Sequence, residues 1–509
     1  MINQNTRFAL MEPPGVLSKF APQHSHAPPL GLAYIAEKLI VEGYEFDVID
    51  SLGEGIDHYD STDNPRVLYR GLSIDQILAR IPKNCELLMI SAMFTMAWNH
   101  TKRIIQEVKK AYPNIKILLG GETATSLHEL IFEICPEVDF ICLGEGDEFV
   151  SDFLRVFFYG GDFDSVDGLV FRKNGQIVKT KRRERISDMN SIPWPKWEKF
   201  PLENYLSHSV TSGVGSGRIM PIIGSRGCPY KCTFCTAYNM WDVNYYNFPI
   251  QRMMEQIQYY KDKYRIEALE FHDLTLFVNK KFAVEFCKGL IDYKINLPWN
   301  ITVGTRAECV DEEVVDLLIR SGCNYFTFAP ESGSKKTLEY IQKKVDIDKY
   351  LKSIQIVAKK GVTSKINIII GFPDEERKEI YTTLLFIIKC AYYGVEDISM
   401  TVYFLSPGSK LFNEFIEENN IKMDEEFFET YFIKEFVKLK KSCSRHVGRK
   451  ELIFYRTLGN LLFYSIGYLF HPMRILRLIK GYFKKTHTSK LEKFLLKHGQ
   501  YSRNRFLIK

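Results

Sequence analysis

The chain of 509 residues is longer than one hydrophobic core of ordinary size, so we expect two or three domains. Its eleven cysteines are scattered apart from one tight cluster, and no signal-peptide pattern opens the sequence. These features argue against a disulfide framework and favour a reducing, cytoplasmic setting. No strongly apolar run reaches 18 residues, although Thr457–Met473 is uncharged, so a membrane span is not expected.

The formal net charge of +6 conceals an asymmetry along the chain. Residues 434–509 hold 19 Lys and Arg residues against 3 acidic residues, which leaves a charge of about −10 for residues 1–433. Three interpretations of this basic segment stay open: a helical domain that packs on the rest with its charges solvated, peripheral contact with the inner face of a membrane, or attraction of an anionic substrate or RNA. We favour the first and expect no nucleic acid partner. The basic residues beside the uncharged stretch are Arg474, Arg477, Lys480, Lys484 and Lys485.

Residues 7–154 alternate short apolar runs with helical patterns. Because strands that are buried on both faces and separated by helices form parallel sheets, this pattern predicts a doubly wound, Rossmann-like α/β domain over residues 1–158. Such sheets bind ligands at the carboxyl ends of their strands. The predicted strands are Arg7–Met11, Glu45–Asp50, Leu87–Met93, Ile115–Leu119 and Val138–Leu143, and the predicted helices are Leu30–Glu42, Ser73–Ile81, Trp98–Tyr112 and Ser126–Ile134.

Glycine-rich loops follow three of these strands. They are Glu-Pro-Pro-Gly at residues 12–15, Gly-Gly-Glu-Thr at 120–123 and Gly-Glu-Gly at 144–146. Glycine lets the backbone approach a large cofactor closely, although a glycine at a strand end more often only completes a turn. His24 and His26 also lie in the first loop, where we expect them to be solvated rather than bound to a cofactor.

The order of Pro-Pro-Leu-Gly-Leu-Ala-Tyr at residues 28–34, Gly-Gly-Glu-Thr, and the run Val138–Gly146 resembles the cobalamin-binding domain that precedes many radical S-adenosylmethionine (SAM) cores. The Asp-x-His-x-x-Gly signature of other cobalamin domains is absent, and relatives with this architecture commonly lack it too. The resemblance implies cobalamin contacts from Pro14, Gly15, Leu30, Gly31, Ser91, Gly120, Gly121, Glu122, Thr123, Gly144, Glu145 and Gly146.

Residues 159–215 read as a linker between domains. Val166–Phe171 and Ile177–Lys179 flank a Lys-Asn-Gly turn and predict a β-hairpin. An extended Ile-Pro-Trp-Pro stretch at residues 192–195 follows. In relatives, such a segment lays the cobalamin domain over the mouth of a barrel.

One loop, residues 224–235, has the sequence Gly-Ser-Arg-Gly-Cys-Pro-Tyr-Lys-Cys-Thr-Phe-Cys. The Cys-x3-Cys-x2-Cys spacing of Cys228, Cys232 and Cys235 places three soft thiolate ligands on one loop. A [4Fe–4S] cluster has four irons, so three cysteines leave one iron open. The alternative is a zinc site, but the sequence contains no second cysteine hook of the kind that zinc sites use.

This loop closely resembles the cluster loop of the radical SAM superfamily. In that superfamily, the open iron chelates the amino and carboxylate groups of SAM, and an electron from the cluster breaks a carbon–sulfur bond to give a 5′-deoxyadenosyl radical. The cofactor carries this chemistry while the protein positions and shields it. The resemblance implies an external electron donor of the flavodoxin or ferredoxin type.

Residues 216–433 repeat strand-like and helical patterns around this loop. Six repeats indicate the partial βα barrel of the superfamily, with its chemistry at the carboxyl ends of the strands. Residues 434–509 are predicted to form a mainly helical C-terminal region. The predicted barrel strands are Ile219–Ile223, Ala268–Phe271, Trp299–Val303, Tyr325–Ala329, Ile366–Ile370 and Met400–Phe404.

The resemblance also implies SAM contacts at the barrel strand ends. Glu331 and Ser332 belong to a Glu-Ser-Gly element, and Glu331 is expected to accept hydrogen bonds from the SAM ribose. The forked guanidinium of Arg306 suits a carboxylate, with a barrel salt bridge as the alternative. Asp273 stands where many members carry Gly-Gly-Glu, so its contact with the SAM amino group competes with a structural role. Tyr403 is predicted to pack.

Two enzymatic functions stay open on sequence alone. The first is methylation of an unactivated carbon of a small molecule, lipid or natural product; the second uses the same cofactors for cyclisation or oxidation without methyl transfer. A methylthiotransferase would need a second cysteine trio, and Cys85, Cys135 and Cys142 do not occupy its expected loops. A non-enzymatic binding protein is hard to reconcile with the intact cysteine loop and Glu331.

Overall fold

A computed structural model describes residues 6–18, 27–62, 67–208, 213, 215, 217–306, 309–424, 427–428, 442–484, 489 and 492. The described chain forms two parallel sheets flanked by helices, followed by two C-terminal helices. His24 and His26 lie outside the described residues.

The N-terminal sheet has seven strands in the order β10-β9-β8-β7-β6-β1-β3. Strands β3, β1, β6, β7 and β8 are parallel, and their apolar residues are buried on both faces, which confirms the predicted doubly wound sheet. Its strands are β1 (Phe8–Glu12), β3 (Asp47–Asp50), β6 (Leu87–Ser91), β7 (Lys116–Gly120), β8 (Phe140–Cys142), β9 (Leu169–Lys173) and β10 (Gln176–Lys179).

Helices cover both faces of this sheet. Most begin and end within two residues of the predicted bounds, whereas the predicted helix Ser126–Ile134 begins with a separate short turn of helix. A connector helix then precedes the second sheet. The helices are α1 (Leu30–Val41), α2 (Ser51–Glu54), α3 (Ile74–Arg80), α4 (Trp98–Ala111), α5 (Glu122–Ser126), α6 (His128–Ile134), α7 (Asp147–Tyr159) and α8 (Leu202–Ser207), with 3-10 turns at Thr95–Ala97 and Phe163–Ser165.

A small antiparallel sheet was not predicted from the sequence. Its three strands are β2 (Gly15–Ser18), β5 (Val67–Arg70) and β4 (Tyr59–Ser61), in that order across the sheet. Gly15 pairs with Arg70, so this glycine lies in a strand rather than in an open loop. Strands this short carry too little periodicity to be recognised.

The predicted hairpin is present, but it does not lie in a free linker. Its first strand, β9, pairs antiparallel with β8, so the hairpin extends the N-terminal sheet. The edge of β8 offers unpaired backbone groups that the hairpin satisfies. The sequence of the hairpin alone does not indicate this tertiary pairing.

The second sheet has six parallel strands in the order β11-β14-β15-β16-β17-β18. Helices connect successive strands, which confirms the predicted partial βα barrel. The strands are β11 (Ile219–Ile222), β14 (Ala268–Phe271), β15 (Trp299–Thr305), β16 (Cys323–Glu331), β17 (Thr363–Ile370) and β18 (Asp397–Val402), and β12 (Ser225–Gly227) pairs with β13 (Tyr245–Asn247) beside them. The helices are α9 (Ala237–Trp241), α10 (Ile250–Tyr264), α11 (Lys280–Asp292), α12 (Glu312–Arg320), α13 (Lys335–Tyr340), α14 (Ile347–Lys359), α15 (Arg377–Tyr393) and α16 (Lys410–Asn419).

Two helices complete the described chain: α17 (Arg449–Phe470) and α18 (Met473–Lys484). Helix α17 packs along α15 and β18, where it covers the last strand of the open barrel sheet. For the described residues of the C-terminal region, the predicted packing on the barrel is confirmed. None of the described helices combines the length and apolar character that a membrane crossing requires.

A buried ion-pair network joins the N-terminal domain to the cysteine loop. Arg226, in β12, donates to both carboxylate oxygens of Asp147 at 2.7 and 3.0 Å and lies 3.2 Å from the Glu145 carboxylate. Arg185 reaches the other oxygen of Glu145 at 2.5 Å. Burial by itself would lower the pKa of Arg226, but Asp147 and Glu145 raise it above its ordinary value. The cysteine loop is therefore fixed to the start of α7.

Replacing Arg226 with Met should leave two buried carboxylates with Arg185 as their single cation. We expect a loss of about 3–5 kcal/mol in the free energy of unfolding, because a buried charge without its partner is costly. Urea titration followed by tryptophan fluorescence measures this loss. The matched control is Arg182→Met, which breaks a half-exposed pair with Asp242 and should cost about 0–1 kcal/mol. Equal losses in the two variants would contradict the role of the network.

Candidate cofactor site

The three cysteines follow β12 on the loop between β11 and α9, at the carboxyl end of the barrel sheet. Cys228 and Cys232 are half-buried, and burial raises the pKa of each thiol. Cys235 is exposed, yet desolvation by neighbouring groups raises the pKa of its thiol to about 12, and the nearby Glu122 charge adds to the rise. None of the three forms a disulfide.

Two cations adjoin these thiols. The charges of Lys343 and Arg306 both act on Cys228 and Cys232 and oppose the burial-driven rise of their pKa values. The Arg306 guanidinium also stacks on the Tyr230 ring, 3.9 Å from its centre. These two cations favour the thiolate form that iron requires, but burial outweighs them, and the pKa of both thiols stays above its ordinary value.

The residues fit a [4Fe–4S] cluster. In such a cluster each thiolate binds a different iron, so the three sulfurs do not need to meet at one point. In the described part of the chain, no group of three or more His, Cys, Asp or Glu side chains converges as on a single metal ion. A thiolate-bound cluster is anionic, and Lys343 and Arg306 supply the compensating charge. Cys228, Cys232 and Cys235 would hold the cluster.

Glu331 ends β16 in a strained conformation beside the cysteines. Its φ of 68° is unusual for a residue other than glycine, and the strand register shifts between Phe328 and Glu331. The Glu331 carboxylate lies 3.0 Å from the Lys343 ammonium, and the two side chains are only 10% and 13% exposed. Glu331 therefore lies near Cys232, already paired with a cation, and its contact with the SAM ribose stays a prediction.

The other predicted SAM residues have structural partners. Asp273 accepts hydrogen bonds from the Gly224 amide at 3.0 Å and the Ser225 hydroxyl at 2.5 Å, so it anchors the start of the cysteine loop. Burial raises the pKa of Asp273 to about 6, against these hydrogen bonds. Ser332 is fully buried and shares a hydrogen bond with Thr383 on α15. Contacts of both residues with SAM stay predictions.

The Gly-Gly-Glu-Thr loop of the N-terminal domain reaches the cysteine loop. The Thr236 hydroxyl, next to Cys235, donates to the Glu122 carboxylate, and α9 packs against α5. Burial raises the pKa of Glu122, whereas the bond from Thr236 lowers it. Asn239 on α9 adds a hydrogen bond of 3.2 Å to Ser126. The carboxyl ends of the two sheets therefore meet at this point.

The glycine loop packs closely against the backbone of the neighbouring loop at this edge. Gly121 has a φ of 104°, and a Cβ there would meet the Ala92 carbonyl carbon at 3.0 Å. Thr123 donates to the Met93 carbonyl at 3.2 Å, which ties this loop to the one after β6. That second loop carries Phe94, which is 64% exposed. An exposed aromatic ring beside a glycine loop suits the apolar face of a corrin ring, so the residues fit cobalamin.

The remaining predicted cobalamin residues are spread along the same edge. Pro14, Gly15, Leu30 and Gly31 follow β1 or begin α1, and Ser91 ends β6, where it hydrogen-bonds to Glu12. Gly144 and Gly146 flank Glu145 before α7. The Glu145 carboxylate is committed to Arg226 and Arg185, so this side chain orients domains. Cobalamin contacts of the whole set stay predictions.

Sequence reasoning missed several residues of this site. Lys343 belongs to no recognised sequence motif. It follows α13 and contacts Glu331 only in the tertiary structure. Tyr230, Thr236 and Arg226 lie within or next to the cysteine motif, and their roles depend on contacts with distant residues. The one available sequence signal was an arginine inside the cysteine loop. Arg226 has no acidic partner near it in sequence, so its partner had to come from elsewhere in the chain.

Comparisons with known proteins agree with this geometry. Residues 222–387 match the Radical SAM superfamily, and residues 23–154 match the B12 binding domain. An uncharacterized methyltransferase of Pyrococcus horikoshii is 26% identical over 458 residues, covering 89% of this chain and 93% of that protein. The anaerobic magnesium-protoporphyrin IX monomethyl ester cyclase of Synechocystis sp. is 24% identical over 401 residues, covering 78% and 74% of the two chains.

A solved structure supports the fold. The radical SAM methyltransferase TsrM from Kitasatospora setae, solved with tryptophan and a SAM analogue, has a TM-score of 0.62 at 15% identity and covers 81% of this chain and 76% of its own. The cysteine loop, the barrel and the family matches define a radical SAM enzyme. Its N-terminal domain places it in the cobalamin-binding family of these enzymes, as predicted, with a [4Fe–4S] cluster, SAM and cobalamin as cofactors.

Replacing Cys228, Cys232 or Cys235 with Ala should abolish cluster assembly, because each removes one of three iron ligands. We expect about four iron atoms per chain in the anaerobically reconstituted wild type and a strong loss in each variant. Iron and sulfide analysis measures this content. Cys85→Ala, in the N-terminal domain, is the matched control and should keep the full content. A zinc content that replaces iron in the wild type would contradict the cluster.

Replacing Glu331 with Gln should weaken SAM binding by about tenfold, since a charged hydrogen-bond acceptor is lost. Equilibrium dialysis of SAM against the reconstituted protein measures this affinity, and iron content checks that the cluster remains. Glu376→Gln, at an exposed ion pair with Lys336, serves as the control and should bind SAM normally. Unchanged affinity in Glu331→Gln would remove Glu331 from the SAM site.

Proposed function

We propose that this enzyme methylates an unactivated carbon of a small-molecule, lipid or natural-product substrate. When bound, the cluster and SAM supply a 5′-deoxyadenosyl radical for hydrogen abstraction, and cobalamin supplies the methyl carrier. Cys228, Cys232 and Cys235 hold the cluster, and Glu331 binds the SAM ribose. The loops around Gly121 and Phe94 support the corrin ring.

The observation that carries this proposal is the contact between the Gly-Gly-Glu-Thr loop and the cysteine loop. The bond from Thr236 to Glu122 joins the two loops directly. A methyl carrier and a radical generator must both reach one substrate carbon, so their binding loops need to face the same space. Helix packing between α5 and α9 fixes this relation.

The relatives favour methyl transfer without fixing the substrate. The Pyrococcus horikoshii protein, which aligns with most of this chain, is named a methyltransferase. The enzyme also needs an electron donor, and a flavodoxin or ferredoxin matches the low potential of iron–sulfur chemistry. We propose such a donor as the physiological partner.

The second candidate is cyclisation or oxidation without methyl transfer. It rests on the similarity to the Synechocystis cyclase, which extends over both matched domains. The two reactions use the same cofactors, and the site residues named above do not distinguish them. The fate of the SAM methyl group distinguishes the two reactions.

Holoenzyme reconstituted anaerobically with cobalamin, reduced with titanium(III) citrate and given methyl-labelled SAM tests both reactions. We expect 5′-deoxyadenosine and transfer of label into the cobalamin fraction, both measured by mass spectrometry. The Cys232→Ala variant should form no 5′-deoxyadenosine, since the cluster delivers the electron. Cys85→Ala should behave as the wild type.

The outcomes separate the candidates. Cleavage of SAM to 5′-deoxyadenosine with no label on cobalamin would favour the cyclase-like reaction. Absence of 5′-deoxyadenosine from a holoenzyme with full iron and cobalamin content would contradict radical chemistry altogether.

A further inference from the structure

The outer side of α17 is uncharged along most of its length and carries several large apolar side chains. Leu461, Leu469 and Phe470 are more than half exposed, and the stretch Thr457–Met473 contains no charged residue. The opposite side, with Gly459, packs on the barrel. A surface helix that meets only water carries charged residues on its outer side, so this one is built for another contact.

Helix α18 turns two basic residues towards the barrel and its apolar residues outward. Arg474 turns inward and donates to the Val395 carbonyl at 3.1 Å, and Arg477 pairs with Glu396 at 2.7 Å. The prediction that the basic residues of this segment are solvated is therefore wrong for Arg474 and Arg477, whereas Lys480 is exposed. The apolar residues face outward and are between 49% and 71% exposed: Met473, Leu476 and Ile479.

We define the apolar face as the exposed apolar residues of these two consecutive helices: Leu461, Leu469, Phe470, Met473, Leu476 and Ile479. The sequence around this face is basic. No acidic residue occurs between Glu451 and Glu492, and Glu451 itself pairs with Arg377. Lys480 is exposed directly beside Ile479.

We propose that the apolar face rests on an anionic lipid bilayer as a peripheral contact. Apolar side chains enter the boundary between headgroups and acyl chains, and the adjacent Lys480 binds an anionic headgroup. A second copy of this chain fits less well, because a symmetric interface would bring two basic surfaces together. Opposite charge favours the bilayer.

The position of the face relates it to the barrel. Leu452, near the start of α17, lies against Gly371 at the carboxyl end of β17, and His471 at its end contacts the Tyr392 carbonyl on α15. Helix α17 therefore spans the barrel from mouth to base. The apolar face lies on the half of α17 nearer the base and on α18, so a bilayer at this face contacts the side and base of the barrel.

Vesicle flotation of the full chain tests the proposal with phosphatidylglycerol–phosphatidylcholine vesicles and with pure phosphatidylcholine vesicles. We expect binding to the anionic vesicles that weakens with salt. The double variant Leu476→Glu/Ile479→Glu should lower the partition coefficient by about tenfold or more. Val41→Glu, which changes a 65% exposed residue of α1, is the matched control and should bind normally.

Several results would overturn the proposal. The first is that the wild type does not float with anionic vesicles. The second is that it binds neutral and anionic vesicles equally at every salt concentration. The third is that the double variant binds as well as the wild type. A dimer of the wild type that the double variant loses, without lipid binding, would assign the face to a second copy instead. The lipid and salt comparisons need no variant, so they decide the matter even if the double variant misfolds.

Discussion

The pairing of Arg226 with Asp147 and Glu145 holds the cysteine loop against the N-terminal domain. Both sides are almost fully buried, and Arg185 completes the network from the connector. Separating such charges without solvent is costly, so the two domains have one favoured orientation. Because that orientation brings Glu122 to Thr236, the relation between the glycine loops and the cluster loop depends on this network.

Both sheets contribute to the site through the loops at the carboxyl ends of their strands. Each is parallel, so each presents its loops at the carboxyl ends of its strands, and the chain turns these two edges towards each other. The barrel edge contributes the thiols and the strained Glu331, and Lys343 and Arg306 balance their charge. The N-terminal edge contributes glycines and exposed apolar groups. The difference suits a charged cluster on one side and a large flat cofactor on the other.

The C-terminal helices combine a structural role with an unusual surface. Helix α17 covers β18, the exposed edge of an open barrel, and therefore protects unpaired backbone groups from association. Its partner α18 turns two arginines towards the α15–β18 connection and leaves its apolar residues outside. Charge composition alone indicated a basic segment; the direction of each side chain came from packing on the barrel.

The sequence by itself determined the two parallel sheets and the spacing of the three cysteines, because burial periodicity and residue spacing are local properties. Strand bounds such as Ala268–Phe271 agreed with the structure for this reason. The resemblance of the sequence to cobalamin-binding and radical SAM motifs indicated the cofactor class. The tertiary structure alone decided the sheet position of the hairpin, the ion pairing of Glu145, the approach of Lys343 to Glu331 and the inward turn of Arg474. Each of these joins residues from separate elements, and the free energy of such a contact depends on burial and distance that no local pattern encodes.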